Sequence, residues 1–322
     1  QDFMLSTNEI IKEFLLKGFT ITPEALEYLK ELESLEDIFK NIELEKIPDK
    51  CITLDLLNKI FEKNKFEIIE SDININEISI ESINKIIVER FEFLRNLIKS
   101  KIEMVNVMSI SNLKKVKSGN IIGIVIEVNN DNILVEDYTE KIKLQLDINE
   151  KIFESDVLGF IVKDYKIKKV VYPDIPLTQS KKANRDVFVR FGYECNEIPK
   201  SNNYYFFNNK KNWKNTIVFN NMLKAKIEND FLVLIVNENL TKIENDFEKE
   251  IISLVKKRNL NPSIKKLPSN ALLLKEVPDF IVIYGNKFDN IYLNYKGTTI
   301  LYIKENTFVD INLKSREIYK NF

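Results

Sequence analysis

Histidine is absent from this sequence of 322 residues, and its absence removes several classes of functional site. Histidine is the commonest metal ligand and the one side chain whose unperturbed pKa lies near neutrality. Three kinds of site are therefore excluded: Ser-His-Asp and Cys-His triads, zinc sites that contain histidine, and the mixed histidine and carboxylate metal pairs of many phosphoesterases.

Cysteine is nearly absent as well, since only Cys51 and Cys195 occur. Two cysteines that lie so far apart in the sequence provide neither a CxxC motif, nor a four-cysteine zinc site, nor a disulfide framework. The pattern is typical of a reducing compartment. We interpret both residues as small buried hydrophobic side chains.

The sequence also lacks a long hydrophobic run and an excess of either charge. No apolar run approaches the roughly 20 residues that span a bilayer, and charged residues interrupt positions 1–16 too often for a signal peptide. The 48 Lys and Arg nearly balance the 49 Asp and Glu, which argues against binding nucleic acid through bulk charge, although local basic patches are compatible with this balance. We expect a soluble, intracellular protein without a membrane partner.

Hydrophobic residues make up 44% of the chain and aromatic residues 11%, which indicates globular structure. At about 100–200 residues per domain, the length predicts two or three domains. Residues 1–65 read as a small helical domain of four short helices, in which Thr22 can cap a helix that has Pro23 at its first position. Residues 66–82 read as a linker or a marginal strand, and residues 83–104 as an amphipathic helix that leads into the next domain.

From about Val105 the hydrophobic period changes to two, which predicts strands over residues 105–178. Three strands, a short helix at INEKIFES (148–155) and two further strands follow one another. Five strands with a helix between the third and the fourth is the order of the OB-fold, a small closed barrel. The five strand segments are NIIGIVIEV, ILVEDY, KIKLQLDI, DVLGFIVKD and KIKKVVYP.

Residues 179–322 alternate strands with helical segments, which indicates a layered α/β domain. The helix is EKEIISLVKKRNL, and the β-rich runs are DVFVRFGYE, FLVLIVNEN, PDFIVIYGN and TTILYIKEN.

The order of these parts resembles one family, the small subunit of the archaeal family D DNA polymerase, a relative of the B-subunits of eukaryotic replicative polymerases. The motifs that carry the resemblance are GFTITPEALEYL…ITLDLL, the barrel segment GIVIEV…ILVEDYTEKIKL, the junction VVYPDIP at 170–176, and the tail KRNLNP…VPDFIVIYGNKF…YKGTTILYI. The resemblance covers nearly the whole chain. It implies a multidomain α+β protein with an N-terminal helical module, an OB-fold β-barrel, and a degenerate calcineurin-like metallophosphoesterase α/β sandwich.

In active members of that family the last domain is a 3′–5′ exonuclease with two metals, usually manganese. Their ligands lie in Asp-x-His, Gly-Asp, Gly-Asn-His-Asp, lone His and Gly-His-x-His motifs, because carboxylates and imidazoles hold the cations that activate water. Here the first motif falls at 192–194 (Gly-Tyr-Glu) and the last at 285–288 (Gly-Asn-Lys-Phe), and a helix motif that contains histidine in relatives reads Arg-Asn-Leu-Asn-Pro at 258–262. The former ligand positions are Gly192, Glu194, Asn259, Asn286 and Phe288.

The remaining motifs of the family are not recognisable. FLVLIVNEN matches either the strand before Gly-Asp or the later strand before the lone histidine, and neither alignment places a ligand set at 236–238. Lys287 would place a cation where a metal should lie. The resemblance with these departures implies a lost catalytic centre, no metal and no cofactor.

Carboxylates alone can hold Mg²⁺, so the acidic residues near the predicted helix of the last domain are an alternative site. A charged, solvated helix face is the favoured interpretation of these residues. They are Asp230, Glu238, Glu244, Asp246, Glu248 and Glu250. Gly119 and Gly123 have neither the spacing nor the following Lys-Ser/Thr of a P-loop.

Basic and aromatic residues are candidates for contact with DNA or a partner protein. Trp213, near the aromatic run at 204–207, could stack on bases, although packing in a core or an interface is favoured. Lysines on either side of the barrel, and Lys181, Lys182 and Arg185 after it, could touch phosphates or lie in ordinary solvated loops. The candidate barrel lysines are Lys114, Lys115, Lys117, Lys166, Lys168 and Lys169.

The preferred hypothesis is a non-catalytic, architectural small subunit that binds the large catalytic subunit of a family D DNA polymerase and has lost its exonuclease activity. Its DNA contact would be indirect or weak, its further partners the sliding clamp or primase, and its location the cytoplasm with the nucleoid. One alternative is a stand-alone OB-fold protein that binds single-stranded nucleic acid. Another is an active nuclease with a rebuilt, all-carboxylate centre.

Overall fold

The structure is a computed structural model of mixed α/β character, with several sheets and few helices. It describes residues 7–30, 50–54, 56–57, 66–73, 79–146, 151–184, 186–192, 204–207, 216–228, 230–265 and 267–321. Within these ranges, no helix combines the length and the apolar character that a bilayer crossing requires. The chain divides into two compact units, one of Gln1–Phe66 with Ile227–Asn229 and one of Glu67–Lys226 with Asp230–Phe322.

The first unit contains helices α1 (Thr7–Leu16) and α2 (Pro23–Lys30) and a parallel pair of short strands, β1 (Thr20–Ile21) and β2 (Cys51–Ile52). The Thr22 hydroxyl accepts a hydrogen bond from the Ala25 N–H at 3.3 Å, so the predicted cap of α2 is confirmed. Cys51 is a half-buried free thiol. The other predicted helices fall largely outside the described residues, as does Cys195.

The second unit begins within β3 (Phe66–Ser71), so the strand alternative is confirmed for this part of 66–82. Helix α3 (Ile80–Lys99) follows, capped by Ser79, and the short helix α4 (Ile110–Val116) precedes the barrel. A closed barrel comes next, in the order β4-β5-β6-β8-β7. Its strands are β4 (Gly119–Val128), β5 (Asn132–Glu136), β6 (Lys141–Leu146), β7 (Val157–Lys163) and β8 (Lys166–Val171).

The predicted helix at 148–155 is wrong for its described residues, 151–155, which form coil and turn. Tertiary hydrogen bonds take the place of helical ones here. The Phe153 N–H donates to the Asp156 carboxylate at 2.8 Å, and the Ser155 N–H donates to the Val125 carbonyl at 2.7 Å. Ser155 itself has a left-handed φ of 69°, which ends any helical path.

The rest of the second unit contains two sheets and helix α5 (Phe247–Lys256). The five-stranded sheet has the order β11-β10-β9-β17-β18, with β9 (Phe188–Gly192), β10 (Tyr204–Phe207), β11 (Thr216–Val218), β17 (Phe308–Asn312) and β18 (Ile318–Asn321). The six-stranded sheet has the order β15-β16-β14-β13-β12-β3, with β12 (Met222–Ile227), β13 (Phe231–Asn237), β14 (Phe280–Gly285), β15 (Ile291–Tyr295) and β16 (Thr298–Lys304).

Alternate residues of β14 face two different layers. Ile281 and Ile283 lie in one hydrophobic cluster with the buried side of α5. On the opposite face, the Phe280 ring lies 6.1 Å from Phe191 of the five-stranded sheet, and the Tyr284 hydroxyl donates to the Phe206 carbonyl at 3.3 Å. The six-stranded sheet is therefore covered on both faces, which explains why its central strands are apolar without alternation.

Buried charges join the barrel and α3 to the chain that follows α5. The Lys257 ammonium lies 2.7 Å from the Asp156 carboxylate, and both side chains are almost fully buried. The Arg90 guanidinium of α3 donates to the carbonyls of Pro262 at 2.7 Å and Ser269 at 3.0 Å. Burial lowers the pKa of Arg90 to about 10, so it remains charged at neutral pH. These contacts fix the barrel against the α5 side of the six-stranded sheet.

Candidate functional site

The carboxyl ends of β13, β14 and β16 meet at one edge of the six-stranded sheet, because the three strands are parallel. The turn Glu238–Leu240 follows β13 at this edge, and residues 286–289 follow β14. The resemblance places its terminal metal-ligand motif after β14. We call Glu238, Gly285, Lys287 and Tyr302 the edge cluster.

Glu238 and Tyr302 form the centre of the edge cluster. The Tyr302 hydroxyl donates to the Glu238 carboxylate at 2.5 Å and accepts from the Lys287 N–H at 2.9 Å. Tyr302 is only 1% exposed, and burial together with the neighbouring Glu238 carboxylate raises its pKa well above the ordinary value. The hydroxyl therefore stays protonated and acts as a fixed donor to the carboxylate.

Gly285 makes this close approach possible. A Cβ atom at this position would overlap the Glu238 carboxylate and the Tyr302 hydroxyl, so any larger residue would have to displace them. The absence of a side chain at the end of β14 leaves room for the Glu238 carboxylate to lie against the strand. The space after β14 is thus occupied by side chains from two other segments.

The three residues after Gly285 have separate structural roles. The Lys287 ammonium donates to the Ile243 carbonyl at 3.2 Å, and Asn286 is exposed. The Phe288 ring packs edge-on against Tyr302, with ring centroids 5.3 Å apart and planes at 88°. Phe288 also lies 5.9 Å from the Phe247 ring of α5, so its side chain contributes hydrophobic packing.

The other positions that the resemblance predicts to correspond to metal ligands lie elsewhere. Gly192 ends β9 in the five-stranded sheet, where a Cβ would come within 2.7 Å of the Phe308 Cβ. Asn259 is 3% exposed, and its side-chain oxygen accepts from the Asn261 N–H at 3.1 Å. The described contacts of Gly192 and Asn259 do not include the edge cluster. Glu194 and Trp213 fall outside the described residues.

The donors at this edge do not fit a pair of divalent metals. Within the described ranges, no three His, Cys, Asp or Glu side chains lie close enough together to hold a metal ion. The edge cluster supplies one carboxylate, already engaged by a tyrosine, together with a lysine from the loop that follows β14. A two-metal centre needs several carboxylates or imidazoles that bridge and flank the cations, so no hydrolytic step follows from these residues.

The predicted solvated face of α5 is wrong for Glu250, which is 8% exposed. Its carboxylate accepts hydrogen bonds from the Lys151 ammonium and the Glu244 N–H, both at 2.5 Å. Burial acts to raise the pKa of Glu250, but these hydrogen bonds outweigh burial and lower it. Glu248 of the same group is exposed, as predicted. Glu250 therefore has a structural role at the start of α5.

The aromatic run at 204–207 forms β10, and its first three residues are buried. The Phe206 ring stacks on Phe191 of β9 at 5.2 Å, which confirms core packing for this residue.

The predicted lysines divide into paired and unpaired groups. Lys114 binds Glu140 at 2.6 Å, and Lys169 binds Glu103 at 3.2 Å. Lys115, Lys117 and Lys168 are exposed.

Tyr302 carries no functional signal in the sequence, because it lies in a strand of continuous apolar character, TTILYIK, where a tyrosine is interpreted as a core residue. The pairing of Glu238 depends on a residue 64 positions away, so no local motif predicts it. The close approach of the Glu238 carboxylate to Gly285 has no local sequence signal either.

No protein-family model matches the sequence. The chain is similar to the protein named DNA polymerase II small subunit of Thermoplasma acidophilum, with 29% identity over 197 residues. The matched region is 53% of this chain and 39% of the relative, so the chain spans less than half the length of that relative. Sequence similarity thus connects about half of this chain to a polymerase small subunit.

Proposed function

We propose that the chain is a non-catalytic, architectural small subunit of a family D replicative DNA polymerase, which binds and stabilises the large catalytic subunit. The similarity to a DNA polymerase II small subunit supports a role as a polymerase accessory protein. In this proposal the protein acts by binding partners through its surface. The residues at the carboxyl ends of β13, β14 and β16 pack against one another and have a structural role.

The strand order of the barrel supports its interpretation as an OB-fold. Numbered within the barrel, its strands run 1-2-3-5-4, and the third and fifth strands pair in parallel while the others pair antiparallel. This is the arrangement of a five-stranded Greek-key barrel. The facing sheets, with α5 on the outer face of the larger one, are compatible with a phosphoesterase-like sandwich. The domain boundaries inferred from the sequence stay predictions.

The observation that carries the non-catalytic proposal is the edge cluster. A carboxylate held by a buried tyrosine and a lysine tethered to a backbone carbonyl occupy the end of β14. In the family that the sequence resembles, exonuclease activity depends on metals at such strand ends. We infer that this chain has lost the 3′–5′ exonuclease activity and that selection maintains the outer surface of the sandwich.

In this proposal the main partner is the large catalytic subunit, and the complex works at the nucleoid. The helical module at the amino terminus would recruit a further replication factor, such as the sliding clamp or primase. DNA would be reached chiefly through the large subunit.

Purification of the tagged chain from its native host tests the proposal. We expect a large polymerase subunit to co-purify in stoichiometric amount and to remain bound through gel filtration. An unrelated protein that carries the same tag is the control. Recovery of the chain alone, or with partners unrelated to polymerases, would contradict the proposal and favour a stand-alone nucleic-acid-binding protein.

A further inference from the structure

Exposed lysines from three separate segments converge on one part of the barrel. Lys115 and Lys117 lie at the end of α4, Lys143 lies on β6, and the others lie on the hairpin of β7 and β8. We call this set the lysine surface: Lys115, Lys117, Lys143, Lys163, Lys166 and Lys168.

The turn between β7 and β8 is hydrogen-bonded to the end of α4. The Tyr165 N–H donates to the Lys117 carbonyl at 3.1 Å, and the Tyr165 hydroxyl donates to the Lys114 carbonyl at 2.9 Å. A third bond runs from the Asp164 N–H to the Ser118 hydroxyl at 3.0 Å. These bonds hold Lys163 and Lys166, which flank the turn, beside the end of the helix.

The β6 strand joins the same region. The Gln145 N–H donates to the Tyr165 carbonyl at 2.9 Å, and Gln145 is the register partner of Lys166 on β8. Side chains of a strand alternate between its two faces, so Lys143 and Gln145 point outward while Ile142 and Leu144 lie in the barrel core. Lys143 therefore stands on the same outer face as the lysines of β8.

The lysine surface carries positive charge that no described side chain neutralises through an ion pair. Neighbouring lysines form ion pairs: Lys114 with Glu140, Lys141 with Glu136 and Lys169 with Glu103. The six lysines of the surface form no ion pair with any described residue, and the one carboxylate in the turn, Asp164, is exposed and forms none either.

Lys163 and Lys166 are, in addition, direct register partners across the hairpin. Like charges that face each other on adjacent strands are destabilising, and a bound anion would remove the repulsion.

We propose that the lysine surface binds the phosphate backbone of nucleic acid without regard to sequence. A group of exposed lysines from three neighbouring segments suits a polyanion that repeats its phosphates along a chain, and lysine binds phosphate as a point charge. Tyr165, the aromatic residue in the turn of this hairpin, is half-buried and its hydroxyl is engaged, so its ring is not available to stack on bases. Contacts to the backbone position a protein but do not read sequence.

Two other polyanionic partners fit less well. An anionic membrane surface would need an apolar face beside the charges, and Val116 is the one large hydrophobic side chain exposed among these lysines in the described chain. An acidic protein partner would need an apolar anchor site beside the charges, and the outward-facing described residues of β6 and β8 at this surface are Lys143, Gln145, Lys166 and Lys168. The inference goes beyond the proposed function, which assigns DNA contact chiefly to the large subunit.

The affinity of the full 322-residue chain for a labelled oligonucleotide tests the proposal directly. Fluorescence anisotropy is followed between about 50 and 200 mM salt, with a single strand and a duplex of equal length. If all six lysines contact phosphates of a single strand, log K should fall against log salt with a slope of about −4. The oligonucleotide that binds more tightly, single-stranded or duplex, is the preferred ligand. Tighter binding of either one supports the proposal.

A triple variant, Lys115→Gln, Lys143→Gln and Lys166→Gln, removes one lysine from each segment. We expect its affinity at about 50 mM salt to fall at least about tenfold and its slope to become shallower by about 2 to 3. The matched control is Lys12→Gln, Lys85→Gln and Lys99→Gln, three exposed lysines without ion pairs in the described chain, which changes net charge equally. Its affinity should stay within about twofold of the parent.

Three results would overturn the proposal. They are an absence of binding at low salt, an equal loss of affinity in both triple variants, and binding to phosphatidylserine vesicles that is tighter than binding to DNA and is lost in the first triple variant. All six substitutions are at exposed positions, so thermal unfolding should be unchanged and confirms that each variant is folded. The proposal that the lysine surface binds nucleic acid and the proposal that the chain binds a large polymerase subunit can be contradicted independently. Co-purification with the large subunit does not depend on affinity for an oligonucleotide.

Discussion

At the scale of single residues, two tyrosines form the same hydrogen bond in different surroundings. The Tyr302 hydroxyl donates to Glu238 and the Tyr138 hydroxyl to Glu92, both at 2.5 Å. Tyr302 is 1% exposed, whereas Tyr138 is 60% exposed. Water replaces a lost donor less readily beside a buried hydroxyl than beside an exposed one, so the bond to the half-buried Glu238 carboxylate is harder to replace than the bond to Glu92.

Tyr302→Phe should therefore lower the free energy of unfolding by about 1–3 kcal/mol, because the Glu238 carboxylate and the Lys287 N–H both lose a partner. Tyr138→Phe is the matched control and should change it by less than about 0.5 kcal/mol. Urea unfolding at pH 7 measures both. Equal effects of the two substitutions would show that the edge cluster is not a packed structural unit.

At the scale of elements, Asp72 ties the end of β3 to the turn that precedes β12. Its carboxylate accepts from the Asn220 and Asn221 N–H groups, each at 2.9 Å, and from the Asn220 side-chain amide at 2.8 Å. Burial acts to raise the pKa of Asp72, but these hydrogen bonds outweigh it, so the pKa lies below the ordinary value of 3.8. The charged form therefore stabilises the pairing of β3 with the sheet.

The sign of the pH dependence follows from that lowered pKa. The stability from Asp72 is fully present above its unfolded pKa and is lost as pH falls through the lower folded value. Asp72→Asn should be less stable than the parent at pH 7, and the difference should shrink below about pH 4. Asp131→Asn, at an exposed aspartate, is the matched control and should change the free energy of unfolding by less than about 0.5 kcal/mol at pH 7. A pH-independent difference for Asp72→Asn would contradict this role.

The buried pair Lys257 and Asp156 connects the barrel to the chain after α5. The Lys257 ammonium also donates to the Lys151 carbonyl at 2.5 Å and lies 4.3 Å from the centre of the Phe153 ring. Burial raises the pKa of Asp156, so this carboxylate depends on its partner.

Lys257→Met should lower the free energy of unfolding by about 3–5 kcal/mol, because it leaves a buried carboxylate unpaired. Lys265→Met is the control, since it breaks the exposed pair with Glu154 and should cost no more than about 1 kcal/mol. Chemical denaturation followed by circular dichroism measures both variants. A small loss for Lys257→Met would mean that this pair does not hold the barrel in place.

Periodicity in the sequence predicted the elements whose burial is uniform along their length. Strands β13, β14 and β16 are continuous apolar runs because both faces of their sheet are covered, and α5 shows a clear helical stripe. Helix α4 escaped prediction because seven residues show too little of a helical period, and its start depends on the Ser109 cap. Residues 151–155 were misassigned because tertiary bonds override their local preference.

At the scale of the whole molecule, the sequence predicted the candidate site only through the metal-binding residues that it lacks. The missing histidines and the residues at 285–288 indicated a lost metal centre, and this stays a prediction. The arrangement that fills the sheet edge depends on Glu238 and Tyr302, which strand register brings together across 64 residues. The lysine surface likewise depends on Tyr165 reaching the end of α4, a contact that spans 51 residues.

The central claim is that the sandwich acts as structure and not as a nuclease. An assay of purified chain with 5′-labelled single-stranded DNA and manganese, with and without chelator, tests it most directly. We predict no shortening from the 3′ end above the level without protein, under either condition. Shortening that needs manganese, is abolished by chelator and co-elutes with the chain in gel filtration would contradict the account.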